Sequence, residues 1–289
     1  MLPSRFEYHR PETLDEAIGL LKEHGDDAKV LAGGMSFIPL MKLRFASPGH
    51  VVDVNRIGEL NGMSESDGWL RIKAVTRHNE LANADLIKSR YSAMAAAAPQ
   101  IADPIVRNMG TIAGSLAHAD PAGDWGSVML AMGGQVVARR SSGERTLPVE
   151  ELFVSNFATS LEPDEIITEV QIPMPEARTG GAYFKLERKV GDFATVGVAV
   201  QLSMDDGHVK SAGIGLTAVG LTNIKARDAE ARLVGSDASD DVVAEAAKLA
   251  AQAAQPMSDL RGSEDYKRHI VEVFVRRGVA RALQIAQGA

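Results

Sequence analysis

The sequence predicts an α+β fold in two parts. Helix and strand signals alternate as far as about residue 172. A Pro/Gly-rich stretch, Pro173-Met174-Pro175-Glu176-Ala177-Arg178-Thr179-Gly180-Gly181, then interrupts them. Beyond it, strand-like runs come first and helical stretches last, the order expected of a separate α+β unit. The 289 residues suffice for one large or two modest domains, and the boundary is expected at 177/178.

The elements follow in chain order. Thr13-Leu14-Asp15-Glu16 has the form of a capping box, with a hydroxyl at the N-cap and a carboxylate three residues on. Leu14, Ala17, Ile18 and Leu21 then recur at helical spacing and Gly25 suits a C-terminal cap, so a helix is expected over 14–24. Lys29 to Ala32, His50 to Val54 and Trp69 to Val75 read as strands. Asp85 to Ala98 reads as a helix and Asp124 to Met132 as a shorter one, with Asp124 at its N-cap. Gln135 to Arg139 and Ile166 to Ile172 read as strands. In the second part, Ala182 to Arg188, Thr195 to Ser203 and His208 to Ala218 read as strands. An Asp205-Asp206-Gly207 turn joins the last two, and helices are expected near 240–254 and 263–286.

Composition narrows the function. The chain is 45% hydrophobic and 24% charged, ordinary for a globular protein, with a net charge of −7. No Lys/Arg block or aromatic platform suggests a nucleic-acid partner. There is no cysteine, which removes disulfides, thiolate nucleophiles and cysteine-held iron–sulfur clusters from this chain. The N-terminus has no signal-peptide pattern and no apolar run reaches membrane-spanning length, so a cytoplasmic setting is expected.

Two glycine loops carry most of the functional signal. The first lies in Val30 to Arg44, V-L-A-G-G-M-S-F-I-P-L-M-K-L-R. The second lies in Arg107 to Trp125, R-N-M-G-T-I-A-G-S-L-A-H-A-D-P-A-G-D-W. Each places small residues beside a hydroxyl, Ser36 in one and Thr111 and Ser115 in the other. Successive N–H groups at such turns form an anion-binding concavity, and glycine lets the ligand approach the backbone. Two loops of this kind fit two linked phosphates. Either loop alone reads equally well as a turn.

Other motifs read as structural. Gly213-Ile214-Gly215-Leu216-Thr217-Ala218 matches G-x-G-x-x-A, but it lies inside an apolar strand rather than at a strand-to-helix turn, so close packing explains it better than a dinucleotide. The seven histidines show no H-x-x-x-H pair, and His118, Asp120 and Asp124 read as a polar turn rather than as metal ligands. Lys185 and Arg188 fall on opposite faces of one strand and, taken alone, read as solvated edge residues. Gly191-Asp192-Phe193 reads as a turn.

Taken in order, the segments A-G-G-x-S-x-x-P-x-M-K-L-R, R-N-x-G-T-I-x-G-S-L-A-H-A-D-P-A-x-D and R-x-x-G-D-F-A resemble the FAD-binding medium subunits of the molybdenum hydroxylases. Among well-known members, the resemblance is strongest to the carbon monoxide dehydrogenase branch. The opening F-x-Y-x-R-P-x-T-L-D-E-A fits as well, as does Gly262-Ser263 ahead of Tyr266, so nearly the whole chain is covered.

The resemblance implies an FAD-binding domain of the vanillyl-alcohol oxidase (PCMH) type over 1–177, with lobes at about 1–55 and 56–177. A small antiparallel sheet and helical bundle, like the C-terminal domain of the carbon monoxide dehydrogenase flavoprotein, would fill 178–289. It implies that Ala32, Gly33, Gly34, Met35 and Ser36 form one pyrophosphate loop and Thr111, Ile112, Ala113, Gly114 and Ser115 the other. Ala117, His118, Asp124, Ile167, Lys185 and Phe193 fall where the family contacts the flavin. Met35 stands where relatives often carry His or Gln, so a histidyl–flavin bond is excluded and FAD is expected to be non-covalent. Ala113 stands where Gly is usual and fits only if its φ is negative.

The implied function is electron transfer. Molybdenum–pterin and iron–sulfur centres would sit in a large and a small partner subunit, in a dimer of heterotrimers. FAD would pass electrons to quinone, oxygen, a soluble carrier or NAD, and the assembled complex offers a route to membrane association. Carbon monoxide ranks first as substrate, ahead of aldehydes and N-heteroaromatics of the nicotine or purine type. A stand-alone FAD oxidoreductase, or a binding module that has lost FAD, are the competing readings.

Overall fold

A computed structural model describes residues 2–288. The chain opens with a three-stranded sheet in which β1 (Glu7–His9) and β2 (Ala28–Leu31) both run parallel to a central β3 (His50–Asp53). The β1–β2 crossover is α1 (Leu14–His24), and α2 (Phe37–Leu43) lies between β2 and β3. α1 forms where its spacing predicts. The Thr13 hydroxyl accepts the Glu16 N–H at 3.2 Å, Gly25 ends the helix at φ 53°, and Leu14, Ala17, Ile18 and Leu21 are buried. The Glu16 carboxylate reaches back to the N–H of Glu12 at 3.0 Å, one residue earlier than a capping box requires.

A second sheet begins with β4 (Met63–Ser66) and β5 (Trp69–Lys73). Six helices follow: α3 (His78–Asn83), α4 (Asp85–Arg90), α5 (Ser92–Ala97), α6 (Pro104–Met109), α7 (Ile112–His118) and α8 (Asp124–Met132). The chain returns to the sheet through β6 (Gln135–Arg140) and β7 (Gly143–Pro148). The short α9 (Val149–Leu152), β8 (Phe153–Ser155) and β9 (Ala158–Thr159) lead to β10 (Ile166–Pro173). Strand order is β4-β5-β10-β6-β7, all antiparallel.

The single helix expected over 85–98 is broken. Tyr91, at φ −117° and ψ 66°, leaves the helical region between α4 and α5, and its buried ring sends Oη to Glu65 Oε1 at 2.6 Å. Burying an aromatic with its hydroxyl satisfied outweighs the alanine-rich helix propensity of this stretch.

The last part is a four-stranded antiparallel sheet, β11 (Thr179–Leu186), β12 (Val196–Asp205), β13 (His208–Thr217) and β14 (Ile224–Lys225). It is covered by α10 (Arg227–Leu233), α11 (Asp240–Ala253) and α12 (Glu264–Ala286). Arg188 lies beyond the end of β11, not on it. One apolar core joins the first two sheets and a second core lies between the last sheet and its helices.

The Gly213-Ile214-Gly215 sequence marks where α8 lies on the last sheet. A Cβ at Gly213 would stand 1.8 Å from the Ala131 carbonyl oxygen, and one at Gly215 would stand 2.0 Å from that of Ser127. Both obstacles are helix backbone, which yields only if α8 moves. Gly215→Ala is therefore expected to lower stability by about 1–3 kcal/mol or more. Gly19→Ala, in α1 with open space around it, is expected to raise stability by about 0.5–1 kcal/mol. Thermal melts of the two variants with opposite signs would check the packing; a neutral Gly215→Ala would contradict it.

Candidate functional site

The two glycine loops meet. The first follows β2 and leads into α2, and the second leads into α7. A Cβ on Gly33 would stand 2.4 Å from the Met109 carbonyl oxygen and 2.7 Å from Gly110 Cα, so the first loop lies directly on the approach to the second. Side chains lock that approach. Asn55 donates from Nδ2 to the Ala32 carbonyl at 2.8 Å and accepts from Arg77 Nη2 at 2.5 Å. Arg77 Nη1 in turn donates to the Met109 carbonyl. Residues 76–78 pair with 110–112: His78 N donates to the Gly110 carbonyl at 3.0 Å and Ile112 N to that of Thr76 at 3.4 Å.

Between the loops lies a cavity of about 580 Å³, within the range of small-molecule and cofactor sites. It is lined by Ala32, Gly33, Gly34, Met35 and Ser36 on one side and by Thr111, Gly114, Ser115, Ala117, His118 and Asp124 on the other. Lys185 and Phe193 close it from the C-terminal part. A larger, more open hollow of about 790 Å³, bounded by Ser89, Arg178 and Ile285, contains none of these residues.

Three of the residues singled out from the sequence do not line the cavity. Ile112 and Ala113 are buried at 0% and 4% exposure, because both side chains turn into the core beneath α7. Only their backbone can face a ligand. Ala113 is absent from the residues of positive φ, so its extra methyl fills core space and leaves the loop's approach open. Ile167 is a core residue of β10 at 5% exposure. The apolar pattern of that strand marked burial, which sequence cannot distinguish from a cofactor contact.

The cavity walls present unpaired donors. Among the described residues, the N–H groups of Gly33, Gly34, Met35, Ser36 and Phe37 donate to nothing within the chain, although Gly33 and Gly34 are buried. The N–H of Ala113 is likewise free, while those of Gly114 and Ser115 are taken by the hydroxyl and carbonyl of Thr111 at 3.1 and 3.0 Å. Buried backbone N–H groups almost always have partners. Gly33 and Gly34 depart from that rule, and with the free N–H groups of the half-buried or exposed residues 35–37 they offer a cradle to an anionic ligand such as a pyrophosphate. These residues fit a dinucleotide.

A buried polar triad stands at the start of α8. Gly123, not Asp124, is the N-cap; Asp124 occupies the first helical position. Its Oδ1 accepts from Tyr183 Oη at 2.6 Å and its Oδ2 from Lys185 Nζ at 3.1 Å. Lys185 Nζ also donates to the Gln100 carbonyl at 3.0 Å, and Glu187 lies 3.5 Å away. With 1% side-chain exposure, Lys185 is a buried cation rather than the solvated edge residue that its strand position alone suggests. Burial pushes the Asp124 carboxyl up, against the pull of Lys185 and Tyr183, and burial beside Asp124 pushes the Tyr183 hydroxyl well up.

The turn at Gly191-Asp192-Phe193 is a wall of the cavity. A Cβ at Gly191, which has φ +86°, would come within 3.1 Å of the Ala102 carbonyl oxygen on the opposite wall. Arg261 holds the turn from behind, donating to the Phe193 carbonyl at 2.6 Å and to Asp192 Oδ1 at 3.1 Å. Phe193 remains 55% exposed at the mouth.

Sequence reasoning missed several lining residues, above all His78, Ile101, Ala102, Asp103 and Trp125. The first four lie outside both glycine loops, and Trp125, the last residue of the second, is an aromatic that the sequence does not distinguish from core. It also missed a stack of His9, His24 and His50, drawn from β1, α1 and β3, whose ring nitrogens lie within 4.8 Å of one another. His9 Nε2 and His50 Nδ1 are 3.0 Å apart, while the rings of His24 and His50 lie face to face at 3.6 Å and 6°. His24 and His50 stack in parallel, while His9, tilted 26–27° from both, meets their edge through its contact with His50.

The comparisons agree along the whole chain. The family described as "FAD binding domain in molybdopterin dehydrogenase" matches residues 4–175, and "CO dehydrogenase flavoprotein C-terminal domain" matches residues 181–282. The carbon monoxide dehydrogenase medium chain of Hydrogenophaga pseudoflava is 40% identical over 279 residues, covering 96% of this chain and 97% of that one. The 6-hydroxypseudooxynicotine dehydrogenase complex subunit alpha of Paenarthrobacter nicotinovorans is 38% identical over 288 residues, covering 99% and 97%. The solved carbon monoxide dehydrogenase of Hydrogenophaga pseudoflava that lacks the molybdenum–pyranopterin moiety contains a chain that superimposes with a TM-score of 0.95 at 42% identity, covering 98% of each.

Proposed function

The chain belongs to the family of FAD-binding flavoprotein subunits of the molybdopterin dehydrogenases, and from that premise we propose that it takes electrons from a partner's iron–sulfur clusters onto FAD and delivers them to an external acceptor. The observation that carries this reading is the unpaired N–H run of residues 33–37 facing the second loop across the cavity. In it, Gly33 to Phe37 and Ala113 hold the pyrophosphate through their backbone, with Ser36 and Ser115 as hydroxyl donors. Bound FAD supplies the redox chemistry, because it accepts and releases electrons that protein side chains cannot carry. Lys185 places a buried positive charge on the cavity wall, kept in position by Asp124 and the Gln100 carbonyl. Such a charge favours added negative charge nearby, the condition for holding a reduced cofactor. Phe193 covers the mouth, and residues 178–289 act as the domain that closes the site.

Substrate oxidation is assigned to a large molybdenum-bearing subunit and relay to a small iron–sulfur subunit, since the relatives are medium chains and complex subunits and this chain has no cysteine. Carbon monoxide ranks first as substrate on the 40% identity, with N-heteroaromatics next on the 38% identity. Two such heterotrimers are proposed to pair. Quinone, oxygen, a soluble carrier and NAD are the acceptors to compare. No described helix is long and apolar enough to cross a membrane.

The test is direct. The purified chain is expected to bind equimolar FAD non-covalently and turn yellow, and its FAD is expected to be reduced by substrate only when both partner subunits are present. A chain that stays colourless with added FAD overturns the reading. One that oxidises a small substrate by itself replaces it with a stand-alone oxidoreductase.

A further inference from the structure

His78 is the first residue of α3, and its backbone is pinned to Gly110 ahead of the second loop. Its ring is buried at 5% exposure yet forms part of the cavity wall. Nδ1 lies 3.0 Å from Trp125 Nε1, also buried. An indole N–H can only donate, so Nδ1 must present a lone pair, and the proton of the neutral imidazole stands on Nε2. Burial, together with the charges of Arg107 and Arg77, pushes His78 down to about 4, so the ring is neutral at physiological pH. Among the described residues Nε2 has no partner. Gly110 accommodates that edge of the ring: a Cβ there would stand 2.8 Å from both Cδ2 and Nε2.

The cavity wall thus contains an oriented N–H donor whose protonation and tautomer are both fixed by the fold, beside the loop that receives the dinucleotide. Resting on the functional reading above, we propose that His78 Nε2–H donates a hydrogen bond to an acceptor atom of bound FAD, and that Trp125 is the positioning residue that sets its tautomer. A neutral donor suits this wall. Arg77 and Arg107 already bring positive charge close to the ring, and a proton on it would add a buried charge that both repel.

Three measurements test this. Nitrogen-15 NMR of histidine-labelled chain, with and without FAD, should show the proton of His78 on Nε2 in both states and a shift of that N–H when FAD is added. Fluorescence titration with FAD should show His78→Phe, which keeps a ring and loses the donor, binding about tenfold more weakly or worse. His78→Gln, whose amide can reach the same point, should recover part of that loss. Trp125→Phe should leave the apo ring as a mixture of tautomers and weaken binding by less than His78→Phe. Either source of acceptor on FAD supports the proposal: an altered visible spectrum in His78→Phe places it on the ring system, and a changed affinity with an unchanged spectrum places it on the phosphates or sugar.

A wild-type chain that binds FAD while His78→Phe binds it equally well with the same spectrum overturns this inference alone, and so does a proton found on Nδ1. A wild-type chain that takes up no FAD overturns this inference and the functional reading together. If His78→Phe does not fold, the wild-type spectra and His78→Gln still decide.

Discussion

Replacing Gly114 with valine is expected to abolish FAD binding while leaving the chain folded. Gly114 lies in the first turn of α7, and a Cβ there would meet only the Thr111 hydroxyl, at 2.7 Å, with otherwise open space toward the cavity. The cost to the fold is the disturbance of one N-cap and a β-branched residue in a helix, about 1–2 kcal/mol. The cost to binding is larger, because valine occupies space on the wall that a phosphate needs in order to reach the backbone. A loss of about 100-fold or more in affinity is expected, roughly 3 kcal/mol. Circular dichroism and a melt should show a native fold, and FAD titration should show no uptake. A Gly114→Val chain with full FAD would refute the placement of the second loop. Gly33 is not an equivalent test. Its Cβ would strike backbone at Met109 and Gly110, so substitution there drives the loops apart and conflates folding with binding.

Lys185→Met is expected to be the most destabilising change at the site. Lys185 and Asp124 are buried with 1% and 7% side-chain exposure, and removing the cation leaves a carboxylate with only the Tyr183 hydroxyl for company. Breaking a buried pair from one side costs about 3–5 kcal/mol, which for a chain of this size lowers Tm by on the order of 10 °C. The double variant Asp124→Leu/Lys185→Met should regain part of that stability, since the buried carboxylate at 3.1 Å is gone and only Glu187, 22% exposed, loses a cation 3.5 Å away. It should not regain FAD affinity, because the charge on the cavity wall is gone. Melts of the single and double variants separate the two effects. A single variant melting within about 2 °C of wild type would mean that the pair is not buried as described.

The sequence was informative where local chemistry decides structure. Thr13 and Gly25 bracket α1, Asp124 to Met132 is a helix, and Asp205-Asp206-Gly207 turns β12 into β13, because caps, periodicity and turn residues act over a few positions. It misled where tertiary packing competes. Tyr91 breaks a helix in order to bury its ring, and Lys185 is inside although lysines on strands are usually outside. Ile167 illustrates a third limit: an apolar strand residue looks the same in sequence whether it faces a core or a cofactor.

By itself the sequence determined the α+β order of elements, both glycine loops with their hydroxyls, the absence of thiolates, and the family to which these belong. Glycine spacing and residue type are local properties of the chain and can be read without coordinates. Only the tertiary structure decided that the loops face each other across one cavity. It alone showed that Ala113 turns its methyl into the core and that Lys185 is locked to Asp124 and Tyr183. It also showed that the buried ring of His78, in the cavity wall, accepts from Trp125 at Nδ1. Those facts depend on contacts between residues far apart in the chain, such as 33 with 110, 124 with 185 and 78 with 125. Such contacts are fixed by packing and burial, on which no short stretch of sequence reports.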